Sequence, residues 1–153
     1  MSFSLDTSAL LDAWVRYYPL DVFPTLWEKI DEASRDGRIY VVEEVVTELK
    51  RKDDGIYEWV KKRESMIVSI DEELQRAVVE IMGKYPKLVD TRKNRSGCDP
   101  WVIALAKSRG LTLVTAEKPG GTLSRPRIPD VCIGLGIPCV DVIEFFRMQG
   151  WRV

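Results

Sequence analysis

Four acidic residues are spaced so that a fold could gather them: Asp6 in "FSLDTSALLDAW", Glu48 in "VVTELK", Asp99 in "CDPWVIALA" and Glu117 in "LVTAEK". Singly, each has an ordinary reading. Asp6 stands where a short apolar run hands over to a helix, a natural N-cap. Asp99 precedes Pro100, a pairing suited to a cap and first turn. Glu48 borders the apolar stripe of its helix and can pair with Lys52 one turn on. Glu117 can be a loop acid. Gathered, they make a different statement, because crowded carboxylates repel unless a cation neutralises them. The chain has no histidine and its three cysteines form no CxxC pair. That excludes His-based triads and the usual His-containing zinc sites. An all-oxygen donor set suits Mg2+ or Mn2+ better than zinc.

The elements that would bring these acids together can be read from the pattern. "FSL" is a short buried strand before the helix "SALLDAWVRYY". "VFPTLWEKIDEASRDG" is amphipathic, with Phe23, Leu26, Trp27 and Ile30 on one face. "RIYVV" is a second strand, "EEVVTELKRK" a short helix and "GIYEWVKKR" a further one. "MIVSI" is briefly extended. "DEELQRAVVEIMGKYP" is a helix with acids in its first turn, where the helix dipole favours them. "DTRKNRSG" reads as a basic loop. "CDPWVIALAKSRG" is a helix apolar nearly all round, hence central, and "LTLVT" is the clearest strand. "EKPGGTLSRPR" is a Gly/Pro-rich loop, and "PCVDVIEFFRM" is a strand running into a helix. Strands alternating with helices predict a parallel α/β sheet, whose sites form outside the carboxyl ends of its strands. Asp6 follows the first strand and Glu117 follows "LTLVT", so both fall on one edge. Asp99 opens the helix that feeds the adjacent strand.

Composition bounds the partners. The 153 residues form one expected domain, 1–153, with 23 basic and 24 acidic residues and a net charge of -1. Nucleic-acid binding therefore has no global basic signature and must rest on local clusters. Such clusters flank the acids: Arg92, Lys93 and Arg95 before Asp99, Lys118, Arg125 and Arg127 after Glu117, and Lys50 to Lys52 after Glu48. They are either solvated surface or the contacts to a phosphate backbone. Cys98, Cys132 and Cys139 read as buried thiols of a cytoplasmic protein, with one disulfide left open. The sequence lacks signal-peptide features and any apolar run that spans a bilayer. In "WVRYYPLDVFPTLW", the aromatics at helical spacing read as core or subunit contacts rather than base-stacking surfaces.

"LDTSALLDAW", "VVTELK", "CDPWVIALA" and "LVTAEK" resemble, in order, the successive motifs of PIN-domain nucleases. "RIPDVC" and "PCVDVIEFF" resemble a little-characterised prokaryotic PIN-like subfamily. The resemblance covers most of the chain. It implies a three-layer α/β/α fold with a central parallel sheet and a Mg2+- or Mn2+-dependent endoribonuclease. Asp6, Glu48, Asp99 and Glu117 would be the catalytic acids, with Asp6, Asp99 and Glu117 on the metal. Thr7 and Thr115 would support them through their hydroxyls, and Arg92, Lys93, Arg95 and Lys118 would contact RNA. Glu117 departs from the aspartate common at that position, which leaves open whether it meets a metal directly or through water. Asp130 is a weaker fourth acid. The resemblance also implies the toxin of a toxin–antitoxin pair, restrained by an antitoxin protein, and exposed aromatics suit a homodimer. Three rivals stand beside this reading. One is a housekeeping RNA-processing nuclease, and another is a non-catalytic RNA- or protein-binding module on the same fold. The third is a phosphatase, although Ser8 occupies the place of its usual second acid.

Overall fold

The structure is a computed structural model that describes residues 1–52, 54–89 and 97–153. Its frame is a five-stranded parallel sheet in the order β3-β2-β1-β4-β5. The strands are β1 (Phe3–Leu5), β2 (Ile39–Val42), β3 (Ile67–Val68), β4 (Thr112–Val114) and β5 (Cys139–Val140). Central β1 and β4 are buried along their whole length, as a parallel sheet covered on both faces requires. Phe3 is in register with Ile39 on one side and Thr112 on the other.

Side-chain alternation along β1 assigns the layers. Ser4 faces α6 (Asp99–Arg109), and its buried hydroxyl donates to the Val102 carbonyl at 3.3 Å. Phe3 must then face the other way. There it meets Phe145 of α8 (Val142–Gln149), ring centroids 4.8 Å apart. Helix α6 carries buried Val102, Ile103, Ala104, Leu105 and Ala106, and α5 (Glu72–Lys84) packs outside it. Asp71 caps α5 by accepting from the Leu74 N–H at 2.8 Å. On the α8 side lies α2 (Pro24–Arg35), which buries Leu26, Trp27 and Ile30. Helices α3 (Glu43–Lys52) and α4 (Ile56–Lys61) follow β2. The three-layer α/β/α expectation holds. Among the described residues, no helix is long and apolar enough to cross a membrane.

Three details differ from the sequence reading. The first helix is α-helical only over α1 (Thr7–Leu11) and continues as a π-helix over Asp12–Tyr17. There the Tyr18 N–H reaches back five residues to the Ala13 carbonyl at 2.8 Å. Asp99 is already the first residue of α6, and Cys98 holds the cap position. "RIPDVCIGLG" contains a helix that sequence reasoning missed, α7 (Ile128–Leu135). Its Ile, Val, Pro and Gly content hides helical character. A Cβ at Gly134 would stand 2.1 Å from the Tyr85 hydroxyl, so a larger residue there would have to displace the Tyr85 ring. The "RKNR" loop, with Arg92, Lys93 and Arg95, lies outside the described residues.

The aromatics of "WVRYYPLDVFPTLW" mostly turn inward. Trp14, Trp27 and Trp59 form an edge-to-face cluster, with Trp27 at 4.8 Å from Trp14 and 5.0 Å from Trp59. The Trp27 indole N–H donates to the Tyr18 carbonyl at 2.7 Å. Tyr18 itself sits between Phe23 and Phe146. Tyr17 is the exception and is 60% exposed.

Candidate acidic site at the sheet edge

The chain winds from β1 out to β2 and β3, then returns across β1 to β4 and β5. The order therefore reverses between β1 and β4, and a crevice opens at the carboxyl ends of such a pair. Asp6 leaves β1 and Thr115 leaves β4 at this point, and the Asp6 N–H bonds to the Val114 carbonyl at 3.1 Å.

Asp6 is 3% exposed. It caps α1 by accepting from the Ala9 N–H at 2.7 Å. Ser8 lies within 2.9 Å of both carboxylate oxygens, and the Thr115 hydroxyl donates to Oδ2. The N-cap and the functional readings of Asp6 are therefore compatible. Burial raises its pKa to about 7 despite these donors, and the charge of Glu117 adds to the rise. None of the ion pairs among the described residues includes Asp6.

Thr115 joins the two ends of the site, since its hydroxyl oxygen also accepts from the Glu117 N–H at 3.1 Å. Ser8 reinforces the junction by accepting from the Ala116 N–H at 3.0 Å. Glu117 is half-buried, and its Oε2 accepts from the Ile128 N–H at 3.2 Å at the start of α7. Burial pushes its carboxyl up, opposed by that bond and by the Arg127 charge.

Glu48 and Asp99 sit around Cys98. The buried Cys98 thiol donates to Glu48 Oε2, and Cys98 Sγ lies 3.4 Å from the Thr7 hydroxyl. Burial, then the Glu48 bond, pushes the thiol up and keeps it protonated as a donor. Asp99, next in sequence and half-buried, adds its charge to the same surroundings. Glu48 thus spends its carboxylate on Cys98 rather than on Lys52. Thr7, next to Asp6 in sequence, reaches Cys98 from α1 and so links the two groups of acids through the chain.

Two further sequence candidates are placed differently. Lys118 is exposed beside Glu117, and its carbonyl accepts from the Arg127 guanidinium at 3.3 Å. Asp130 is spent on the backbone, although its charge still reaches Glu117. It accepts from the N–H groups of Gly120, Gly121 and Arg127 at 2.9, 2.8 and 3.0 Å and pins the 117–127 loop. Sequence reasoning assigned no role to Ser8 or Cys98. The only available signal was their position, Ser8 two residues past the cap acid and Cys98 immediately before Asp99.

The donor chemistry fits a hard divalent cation. Asp6 offers about four lone-pair sites to three donors, which leaves room for a ligand, and its buried carboxylate enters no ion pair among the described residues. Among the described residues, no three His, Cys, Asp or Glu side chains stand close enough together to hold an ion as placed. An ion would therefore have to draw the acids inward.

The architecture defines a class, the PIN-like α/β/α fold. The chain is similar to FitAcB from Neisseria gonorrhoeae, with a TM-score of 0.53 and 17% identity over 91% of this chain and 96% of that one. It is also similar to PAE2754 from Pyrobaculum aerophilum, with a TM-score of 0.51 and 14% identity over 99% and 98%. At such identities the likeness shows the fold. By sequence, the chain belongs to the family described as "Domain of unknown function (DUF4411)", matched over residues 3–153. No curated protein matches it.

Proposed function

We propose that this protein is a metal-dependent ribonuclease that hydrolyses phosphodiester bonds at the crevice between β1 and β4. The observation that carries the reading is Asp6, a buried carboxylate in no ion pair among the described residues, at the switch point of a parallel sheet and tied through Thr115 to Glu117. Mg2+ or Mn2+ held by Asp6, Asp99 and Glu117, with Glu48 beside them, would supply positive charge for the phosphate and an acidified water. The protein's own part is orientation. Ala9, Ser8 and Thr115 fix both oxygens of Asp6, and the Ile128 N–H fixes Glu117. The Cys98 thiol and Thr7 set Glu48 against α1. Lys118 stands at the rim, where a phosphate backbone would pass.

Cleavage of single-stranded RNA in Mg2+ or Mn2+ is the test. Asp6→Asn and Asp99→Asn are expected to abolish cleavage with the fold intact. Parent-level cleavage by Asp6→Asn would refute the assignment. Glu117→Gln is expected to weaken metal affinity less than Asp6→Asn does, because a backbone N–H already occupies one Glu117 oxygen. Calorimetric titration with Mn2+ checks this ranking. A binding module that has merely kept the fold would show no carboxylate-dependent metal uptake.

As a further part of the proposal, which rests on the motif resemblance and takes only the fold from the likeness to FitAcB, the protein is a cytosolic toxin restrained by an antitoxin and assembled as a homodimer. Expression of the parent chain alone should then arrest growth while Asp6→Asn does not. Equal growth, with soluble and abundant parent protein, would favour a housekeeping nuclease.

A further inference from the structure

We propose that the cavity beside the acidic site seats one base of a single-stranded RNA, with Tyr17 as its stacking surface. This rests on the nuclease reading and extends it to how the substrate is held. The cavity measures about 410 Å³, and its walls include Asp12, Arg16, Tyr17, Ala116, Lys118 and Asp141. That volume lies within the range of small-ligand sites. Ala116 and Lys118 flank Glu117, so the cavity opens on the same sheet edge as the acids.

Tyr17 behaves unlike its neighbours in sequence. Trp14 and Trp27 are committed to the aromatic cluster, and Tyr18 is wedged between Phe23 at 5.4 Å and Phe146 at 5.3 Å. Tyr17 stays 60% exposed, with the Tyr18 ring behind it at 6.3 Å. It ends the π-helical segment, a distortion that recurs at functional sites. An exposed ring on a braced support is what an unstacked base requires.

The surrounding charges suit a nucleotide. Arg16 is 70% exposed and its pairing with Asp12 is long, 3.7 Å, so it is readily given up to a phosphate. Lys118 enters no ion pair among the described residues. The carboxylates of Asp12 and Asp141 can accept from the amino groups of a base. A second cavity of about 270 Å³, lined by Thr115 and Glu117, shares Lys118 and Asp141 with the first. A strand seated on Tyr17 would pass Lys118 and run beside Glu117. Duplex RNA keeps its bases stacked and cannot use such a seat.

The test is binding of a labelled single-stranded oligoribonucleotide in EDTA, together with KM for its cleavage in Mg2+. Tyr17→Ala and Tyr17→Leu should each bind about tenfold more weakly, about 1.4 kcal/mol. Tyr17→Trp should stay within about twofold of the parent. Lys118→Ala should lower the salt slope of binding by about one, and Tyr17→Ala should leave it unchanged. Duplex RNA should not distinguish parent from Tyr17→Ala. Parent-like Kd and KM in folded Tyr17→Ala and Tyr17→Leu would overturn the proposal, as would no binding by the parent. RNA held through Tyr17 but never cut would sink the nuclease reading and leave this one standing. Normal cleavage indifferent to Tyr17 would do the reverse.

Discussion

Asp6 and Asp130 each accept from three donors and each helps to start a helix, yet their acidities move in opposite directions. Asp6 is buried between β1 and β4, and its pKa climbs to about 7. Asp130 lies at the rim with Gly120, Gly121 and Arg127 N–H groups on its oxygens, and its pKa falls below the ordinary value. Hydrogen bonds alone therefore do not set the charge. Desolvation overrides three donors at Asp6, with the nearby Glu117 charge adding to it. At Asp130 burial is slight, the backbone donors prevail and the Arg127 charge adds to them. The difference separates a carboxylate kept in an unfavourable state from one that does structural service. The first is the expected sign of a functional group and the second of a loop anchor.

The largest expected effect that tests this contrast is on stability. Because the folded pKa of Asp6 lies above its ordinary value, the folded state holds the extra proton between pH 3.8 and about 7. Stability contributed by Asp6 is therefore fully present below pH 3.8 and is lost as pH rises to about 7, by roughly 4 kcal/mol in all. In chelator, Asp6→Asn should remove this dependence and be more stable than the parent at pH 8. Urea denaturation of both proteins across this range measures it. A parent no less stable than Asp6→Asn at pH 8 would mean that Asp6 is solvated better than its burial implies.

Ser8→Ala should come next in size. It deletes a donor that holds the ionised form of Asp6, so the pKa of Asp6 should rise further. Metal affinity should fall about 10- to 100-fold, as for other supporting contacts, and the rising limb of the pH–rate profile should move to higher pH. A lower rate with an unmoved limb would assign Ser8 to packing alone. Asp130→Ala should have the smallest effect, about 1 kcal/mol, typical of a lost helix cap. Asp130 contributes above its ordinary pKa, and the contribution fades as pH falls through its lowered folded value. The Asp130→Ala deficit should thus shrink in acid, opposite in sign to the Asp6 effect, as thermal melts from pH 7 down through the acid range would show.

Much of this frame was legible in the chain. Apolar runs ending in Asp6 and in Thr115 marked two strand ends, and the parallel α/β pattern put both on one edge. The β1–β4 adjacency that makes that edge a crevice depends on long-range pairing and leaves no local trace. The same is true of the Cys98–Glu48 bond, whose partners are 50 residues apart. Ser8 was legible in principle, since a hydroxyl two residues past a cap acid sits over its carboxylate. Helix α7 was hidden because tertiary contacts at Ile128, Val131 and Cys132, all buried, outweigh its poor propensity.

The hydrogen bond from Thr115 to Asp6 joins residues 109 apart in the chain. A ribosome delivers Asp6 well before Thr115, which follows only after most of the domain has emerged. Until β4 adds to β1, Asp6 has no wall on that side and Glu117 has no position at all. Closing so long a loop is slow compared with forming the local helices. A growing chain can therefore hold nearly every helix of the domain and still have no site, and the site arises in one late step.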